Sequence, residues 1–140
     1  MGYTHYWGAV KLSAPEFAQV AEATRKIIAA SGVGIAGGDG LGPPETNSHR
    51  VLLNGCRPDL DHETFHLCRD AVSDCCKTAQ KPYDIVVTAC LAYMASTWGY
   101  EVSSDGDVED WEAGTELANQ ALGVPIPNPM IVNQLEGKVA

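Results

Sequence analysis

The segment KPYDIVVTACLAYMASTW, Lys81–Trp98, decides the fold that we predict for this chain. Lys81-Pro82 is a typical helix start, because proline suits the first helical turn and holds the residue before it in an extended conformation. From Ile85 to Met94, apolar side chains occupy nearly every side of the predicted helix. A helix of this kind is buried on several sides, so other elements must pack around it.

Two amphipathic helices are predicted, one before and one after this segment. The first begins at Ser13, which forms a capping-box pattern with Glu16 three residues later, and it ends at Gly32. The second covers residues 107–123 and ends at Gly123. Each carries apolar residues at helical spacing, which predicts one buried face.

Short segments rich in β-favouring residues occupy much of the remaining chain. We predict strands at 2–11, 33–35, 49–55, 62–67 and 100–106, a turn at Asn54-Gly55, a connection over 68–74 and a long surface loop over 32–47. The order is β-α-β-β-β-α-β-α, an α+β fold with a mainly antiparallel sheet and about three helices. It forms a single domain over residues 1–123, and a proline-rich C-terminal arm over 124–140 packs on this domain or on a neighbouring subunit.

The composition excludes several classes of protein. With 45% hydrophobic and 19% charged residues, the chain has the composition of a globular domain. Its net charge of −9 argues against a nucleic-acid partner, which needs clustered lysine and arginine. The chain lacks an apolar run of membrane-spanning length and a signal-peptide pattern, so we expect a cytoplasmic protein with no membrane partner. The five cysteines form no C-x-x-C pair, which argues against a disulfide framework and a zinc knuckle.

Three motif matches lack the context that each motif requires. GVGIAG, Gly32–Gly37, matches a dinucleotide-binding loop but follows a predicted helix rather than a strand. HETFH, His62–His66, matches a zinc-protease helix, and a helical interpretation exists, but the β-favouring residues lead us to predict a strand. DGDVEDWEAGTE, Asp105–Glu116, matches a calcium loop except that Asp110 stands where the turn needs glycine. We therefore predict no metal and no cofactor.

The approach to the helix that starts at Lys81 carries a local positive charge. Lys77 and Thr78 also precede its N-terminus, where unpaired backbone N–H groups and the helix dipole favour an anion. We therefore predict a phosphate or carboxylate site there. In the alternative, purely structural interpretation, Tyr83 and Asp84 only start the helix, with the Asp84 carboxylate on free backbone N–H groups.

Five motifs together resemble a family of small, functionally uncharacterised proteins encoded by bacteriophages and prophages: MGYTHYW (1–7), NG (54–55), HETF (62–65), CKTAQKPYD (76–84) and VSSDGD (102–107). The resemblance spans most of residues 1–123. The family's motif usually reads CKTARKPYD, so Gln80 removes one positive charge from the predicted anion site. The resemblance implies a small accessory protein that acts in the cytoplasm of an infected or lysogenic bacterial host.

The polar and aromatic residues of these motifs are expected to converge on one cleft. In our first hypothesis this cleft binds a small anionic, nucleotide-like ligand, with two lysines on the anion, two aromatic rings stacking on the ligand and His62, Glu63 and Asp84 orienting it. The candidate ligand-binding residues are Tyr3, His5, Trp7, Asn54, Lys77, Thr78, Lys81, Tyr83, Ser103, Ser104 and Asp105, of which Tyr3 and Trp7 are the stacking pair.

Other hypotheses stay open, and the sequence does not decide whether the protein is an enzyme. The cleft could belong to a small hydrolase or transferase, with His62, Glu63 and Asp84 as candidate catalytic residues. A serine or cysteine nucleophile beside a histidine is also open, because members of a triad are neighbours in space and not in sequence. Alternatively, the acidic segment 101–116, with seven carboxylates and no basic residue, inhibits a host protein by binding it. The apolar residues within Val124–Val132 favour a homo-oligomer in each case.

Overall fold

The computed structural model describes residues 3–8, 10–70 and 73–133. Its helices are α1 (Ala14–Ser31), α2 (Asp84–Trp98) and α3 (Val108–Leu122), with a short helical turn at 129–133. Its strands are β1 (Thr4–Gly8), β2 (Ile35–Ala36), β3 (Glu45–Thr46), β4 (Arg50–Gly55), β5 (Phe65–Cys68), β6 (Asp74–Lys77) and β7 (Glu101–Ser104). The predicted α+β fold with antiparallel strand pairing is confirmed.

Helix α1 forms as its sequence predicts. The Ser13 hydroxyl accepts a hydrogen bond from the Glu16 backbone N–H at 3.2 Å, and the Glu16 carboxylate accepts one from the Ser13 N–H at 2.8 Å. These two bonds satisfy N–H groups that the first turn of a helix leaves free. Gly32 ends the helix with φ 69°, a left-handed conformation that glycine adopts without strain.

Helix α2 lies at the centre of the molecule. Its nine consecutive residues from Val86 to Met94 are all buried, which confirms the prediction made from its apolar composition. Helix α3 packs closely against it at Gly114, where any side chain would overlap Thr88. Close approach of the two backbones therefore depends on a glycine in the middle of α3. No helix in the described parts of the chain is long and apolar enough to cross a membrane.

The strands form two antiparallel sheets. Sheet 1 has the order β6-β1-β7, and in sheet 2 strand β4 pairs with β2, β3 and β5. The two sheets meet where the rings of Trp7 and Phe65 pack edge to face, with their centroids 5.4 Å apart. Both side chains belong to the common hydrophobic core, so β1 is joined to sheet 2 through apolar packing.

Two sequence-based predictions about sheet 2 are wrong. Asn54-Gly55 does not form a hairpin turn, because Gly55 is the last residue of β4 and pairs with Ile35. A side chain at Gly55 would overlap the backbone of Leu60, so close chain approach explains the glycine. Strand β5 begins at Phe65 rather than at residue 62, which leaves only the end of the HETFH motif in a strand.

The predicted connection over 68–74 is also corrected, because Cys68 belongs to β5 and Asp74 begins β6. Its residues 71 and 72 lie outside the described chain, as do residues 1, 2 and 9 of the predicted first strand and residues 134–140 of the predicted arm. The described part of the arm packs on its own domain, where Ile126 and Met130 are buried.

Candidate functional site

A buried histidine connects three elements at one end of sheet 1. His5 lies in the central strand β1, is 0% exposed, and points toward the core between Cys76 of β6 and Ser104 of β7. Its Nδ1 atom lies 2.7 Å from the Ser104 hydroxyl, and its Nε2 atom lies 2.6 Å from Oδ1 of Asp84 at the start of α2. The Ser104–His5–Asp84 chain therefore links β7, β1 and α2 through side chains alone.

The chemistry of the partners fixes the direction of both hydrogen bonds. An ionised carboxylate can only accept, so the Nε2–H group of His5 donates to Asp84. In the neutral imidazole, Nδ1 is then the unprotonated nitrogen and accepts the hydrogen bond from the Ser104 hydroxyl. The serine oxygen thus faces a base, and the base is oriented by a carboxylate, which is the order of groups in a catalytic triad. The two ring nitrogens are exchanged relative to the usual triad, because the serine lies at Nδ1 and the carboxylate at Nε2.

A strained turn positions Asp84. Thr78 donates its hydroxyl hydrogen to Oδ1 of Asp84 at 2.5 Å, and the two following residues, Ala79 and Gln80, both have positive φ angles, 52° and 56°. Two successive non-glycine residues in the left-handed region cost energy, and such strain clusters at functional sites. Helix α2 has no side-chain capping bond at its N-cap residue, Tyr83. The Asp84 carboxylate, which was predicted to bond to free backbone N–H groups, bonds instead to the side chains of His5 and Thr78.

The turn after β7 holds Ser104 from the other side. The Gly106 N–H donates to the Ser104 oxygen at 2.9 Å, while Asp105 accepts a hydrogen bond from the Thr4 N–H at 3.0 Å through its carboxylate. Ser104 is half-buried and the Asp84 side chain is 15% exposed, in contrast to the fully buried His5. The site therefore opens to solvent at its serine and aspartate ends.

Two aromatic rings enclose the imidazole. Tyr3 and Trp111 each pack edge to face on His5, with ring centroids 5.0 Å away. The Tyr3 hydroxyl is buried without a hydrogen-bond partner among the described residues and lies against Gly106. Burial raises the pKa of Tyr3 well above its usual value, and the nearby carboxylate of Asp84 acts in the same direction. The phenol therefore stays protonated and cannot serve as a base at neutral pH.

Cys76 is close to the imidazole but is poorly suited to nucleophilic chemistry. It lies in the same row of sheet 1 as His5, and burial raises the pKa of its thiol to about 12. The thiolate is the reactive form of cysteine, so this thiol is inert at neutral pH. Its neighbour Cys75 is exposed on the opposite face of β6, and both thiols are free.

The structure brings together six of the candidate residues around this site. Four others lie elsewhere. Trp7 is in the core, 2% exposed, and the Asn54 amide bonds to loop backbone. The side chains of Lys77 and Ser103 point away from the core on the outer face of sheet 1, because they alternate with inward-facing neighbours. The buried position of Trp7 is incompatible with the predicted stacking on a ligand. The six that meet are Tyr3, His5, Thr78, Asp84, Ser104 and Asp105.

The remaining candidates surround the turn before α2. Glu63 accepts a hydrogen bond from the Lys77 N–H at 2.8 Å, and its backbone carbonyl accepts one from the Tyr83 hydroxyl at 2.6 Å. The side chain of His62 is exposed, while its backbone bonds to Asn54. Lys81 donates its backbone N–H to the Thr78 carbonyl at 3.0 Å, which shapes the turn. These contacts give Glu63 and Tyr83 structural roles.

Sequence analysis missed two members of the site, Trp111 and Gly106. Trp111 lies within the predicted helix over 107–123, and no local pattern indicates its contact with His5. Gly106 follows Ser104 and Asp105 in an SDG turn signal, which could have indicated close approach of another side chain. No cluster of His, Cys, Asp or Glu side chains in the described ranges is arranged to hold a metal ion.

Comparison with known proteins returned no match to a family model, to a curated protein or to a solved structure.

Proposed function

We propose that the protein is a small hydrolase or acyl transferase that uses Ser104 as nucleophile, His5 as general base and Asp84 as the group that orients the base. The observation that carries this proposal is the pair of short contacts made by the His5 ring, 2.7 Å from Nδ1 to the Ser104 hydroxyl and 2.6 Å from Nε2 to the Asp84 carboxylate. Of the candidate catalytic residues His62, Glu63 and Asp84, the proposal keeps only Asp84. The Glu63 carboxylate instead bonds to the Lys77 N–H, and His62 is exposed.

The proposed reaction begins when the Ser104 oxygen attacks the carbonyl carbon of an ester or amide, while its proton passes to His5 Nδ1. Asp84 stabilises the imidazolium through its hydrogen bond to Nε2. Collapse of the tetrahedral intermediate expels the alcohol or amine, which takes the proton from Nδ1, and leaves the acyl group on Ser104. A water molecule then attacks the acyl-serine with His5 again as base, and the carboxylic acid is released.

The charges near the site favour a substrate that is not an anion. Asp84, Asp107 and Asp110 are close enough to Tyr3 for their negative charges to raise the pKa of its hydroxyl, after the larger effect of burial. The Lys77 side chain leaves sheet 1 on the outer face, away from His5. Binding of a nucleotide-like anion therefore has less support than the acyl-transfer reaction.

A serine-directed fluorophosphonate probe tests the proposal, with hydrolysis of p-nitrophenyl acetate as a second measurement. We expect peptide mapping to find the probe on Ser104, and Ser104→Ala to lose both labelling and turnover. Ser103→Ala is the matched control, because Ser103 precedes the nucleophile in the same strand but lies on the outer face. The proposal is overturned if the probe does not label Ser104, or if Ser104→Ala hydrolyses the ester as fast as Ser103→Ala does.

A further inference from the structure

A second concave region lies at the Gly8 end of β1, away from the Ser104–His5–Asp84 chain. It is a groove of about 1230 Å³ between this end of sheet 1, the C-terminal end of α2 and the C-terminal arm, and it includes outward-facing residues such as Tyr6 and core-facing residues such as Trp7 and Val102. Ser104 and the other members of the His5 site do not line it. The residues that matter for its chemistry are Tyr6, Gly8, Ser96, Glu101 and Ser103.

The floor of the groove is open because β1 carries a glycine there. A Cβ atom at Gly8 would lie 3.7 Å from Glu101 Cβ, 3.8 Å from the Ser73 hydroxyl and 3.9 Å from the Glu101 carboxylate. These distances are ordinary contacts, so the space directly above Gly8 is bordered by a carboxylate and a hydroxyl. Any longer side chain at this position would project between them into the groove.

Two sources of negative charge border the outward-facing part of the groove. Glu101 contributes a carboxylate from β7, on the same face as Gly8 and Tyr6. The second source is the C-terminal end of α2, where Ala95 and Ser96 line the groove and the last turn carries no basic residue. Helix C-termini carry partial negative charge and favour cations. Of the described residues that line the groove, none is lysine, arginine or histidine.

An exposed aromatic ring lies beside these charges. Tyr6 is 42% exposed, although it lies in the central strand, where it is flanked by Cys75 and Ser103. An aromatic face next to a carboxylate attracts an organic cation by cation–π and Coulomb forces together, and quaternary ammonium ligands are bound in this way. The apolar proline and valine side chains of the arm supply contacts for the alkyl part of such a ligand.

We propose that this groove binds an alkylammonium group, with Tyr6 against the cation and with Glu101 as its counter-charge. The cation is that of a free amine or of a lysine side chain of another protein, since both present the same chemistry. This inference is independent of the hydrolase proposal, because the two sites share β1 but none of their functional side chains.

The test is an NMR titration of the isotope-labelled protein with choline and with 3,3-dimethylbutan-1-ol, its neutral isostere. We expect choline to shift the backbone signals of β1 and β7 with roughly millimolar affinity, and the neutral alcohol to bind at least about tenfold more weakly. The proposal is overturned if choline shifts no groove signals or if the alcohol binds equally well. A glycine-flanked lysine peptide that binds more tightly than n-butylammonium would identify a protein as the source of the cation, and equal affinity would identify a free amine.

Two kinds of variant localise the binding. Glu101→Gln should weaken choline binding roughly tenfold, because it removes the counter-charge at almost constant shape. Glu112→Gln, on the exposed side of α3, is the matched control and should leave the affinity unchanged. Gly8→Leu should fill the floor and abolish binding, with unchanged signals from α3 as the check that the variant is folded. Equal affinity in Glu101→Gln and Glu112→Gln would overturn the proposed site.

Discussion

Asn54 and His5 are both buried polar side chains that tie distant parts of the chain together, yet they do so with different kinds of partner. The Asn54 amide bonds to the Gly38 carbonyl at 3.2 Å, to the His62 carbonyl at 2.9 Å and to the His62 N–H at 3.0 Å. All of these partners are backbone atoms. The partners of His5, in contrast, are the side chains of Ser104 and Asp84.

The difference separates a structural anchor from a reactive group. A side chain whose bonds are all to backbone satisfies groups that a loop would otherwise bury unpaired, so its role is to hold the loop. A histidine between a hydroxyl and a carboxylate satisfies no backbone group and instead arranges three groups that can exchange a proton. Removal of Asn54 should therefore affect stability most, whereas removal of His5 should affect chemistry most.

The largest effect is expected from His5→Phe, which keeps a ring between Tyr3 and Trp111 but removes the base. The rate of fluorophosphonate labelling at Ser104 should fall by roughly 10²–10⁴-fold, the usual contribution of a general base. The rate is measured by quenching the reaction at intervals and quantifying the labelled peptide. A urea titration checks that the variant is folded, and labelling within twofold of the wild-type rate would contradict the assignment of His5 as base.

Asn54→Ala should produce the next largest effect, on stability rather than rate. Loss of the amide removes the bonds to the His62 N–H and carbonyl, whereas the Gly38 carbonyl keeps its bond from the Thr64 hydroxyl. The free energy of unfolding should therefore fall by about 1–3 kcal/mol. Asn47→Ala is the control, because Asn47 also bonds to backbone but is exposed and spans only a local turn. Urea denaturation measures both. A drop for Asn54→Ala no larger than that for the control would remove the distinction between anchor and surface turn.

The pH dependence of stability tests the packing of the region around His5. Burial raises the pKa of Cys76, which is paired with His5, from 9.0 to about 12, so between these values the unfolded chain loses a proton that the folded chain keeps. Stability from this thiol is complete below pH 9 and falls as the pH rises, by roughly 1 kcal/mol at pH 10. The decrease in the urea midpoint from pH 8 to pH 10 should therefore be smaller in Cys76→Ala than in Cys75→Ala. An equal fall in both variants would contradict the buried thiol.

The smallest effect is expected from Thr78→Val, which removes one hydrogen bond to Asp84 while keeping the shape of the side chain. Asp84 should orient His5 less well, so the labelling rate should fall about fivefold, and the free energy of unfolding should fall by about 1 kcal/mol. Thr78→Ser restores the hydroxyl and should restore the rate. If Thr78→Ser is as slow as Thr78→Val, the hydroxyl of Thr78 does not position the carboxylate.

The elements that could be predicted from the sequence are those with local signals. The capping box at Ser13 and the apolar composition of Val86–Met94 each act within a few turns, and both helices formed as expected. Strand β6 was missed because its sequence, DCCK, contains no β-branched or aromatic residue. It forms a strand through its pairing with β1, a contact that no local pattern reports.

The site was only partly predictable for the same reason. His5, Asp84 and Ser104 were each recognised as candidate residues, but 79 positions separate His5 from Asp84 and 99 separate it from Ser104. Their contact depends on the order β6-β1-β7 and on where α2 starts, which tertiary packing decides. The hydrogen-bonding direction that favours Ser104 as nucleophile becomes visible only once these three side chains meet.

Because side chains alternate along β1, His5 faces the core while the next residue, Tyr6, faces the groove. A shift in register of one residue would exchange the two faces and turn the imidazole toward solvent and the phenol toward the core. Insertion or deletion of a single residue between Thr4 and Gly8 would therefore disrupt both regions at once. Substitutions in this strand can alter one region and spare the other, but its length is constrained by both.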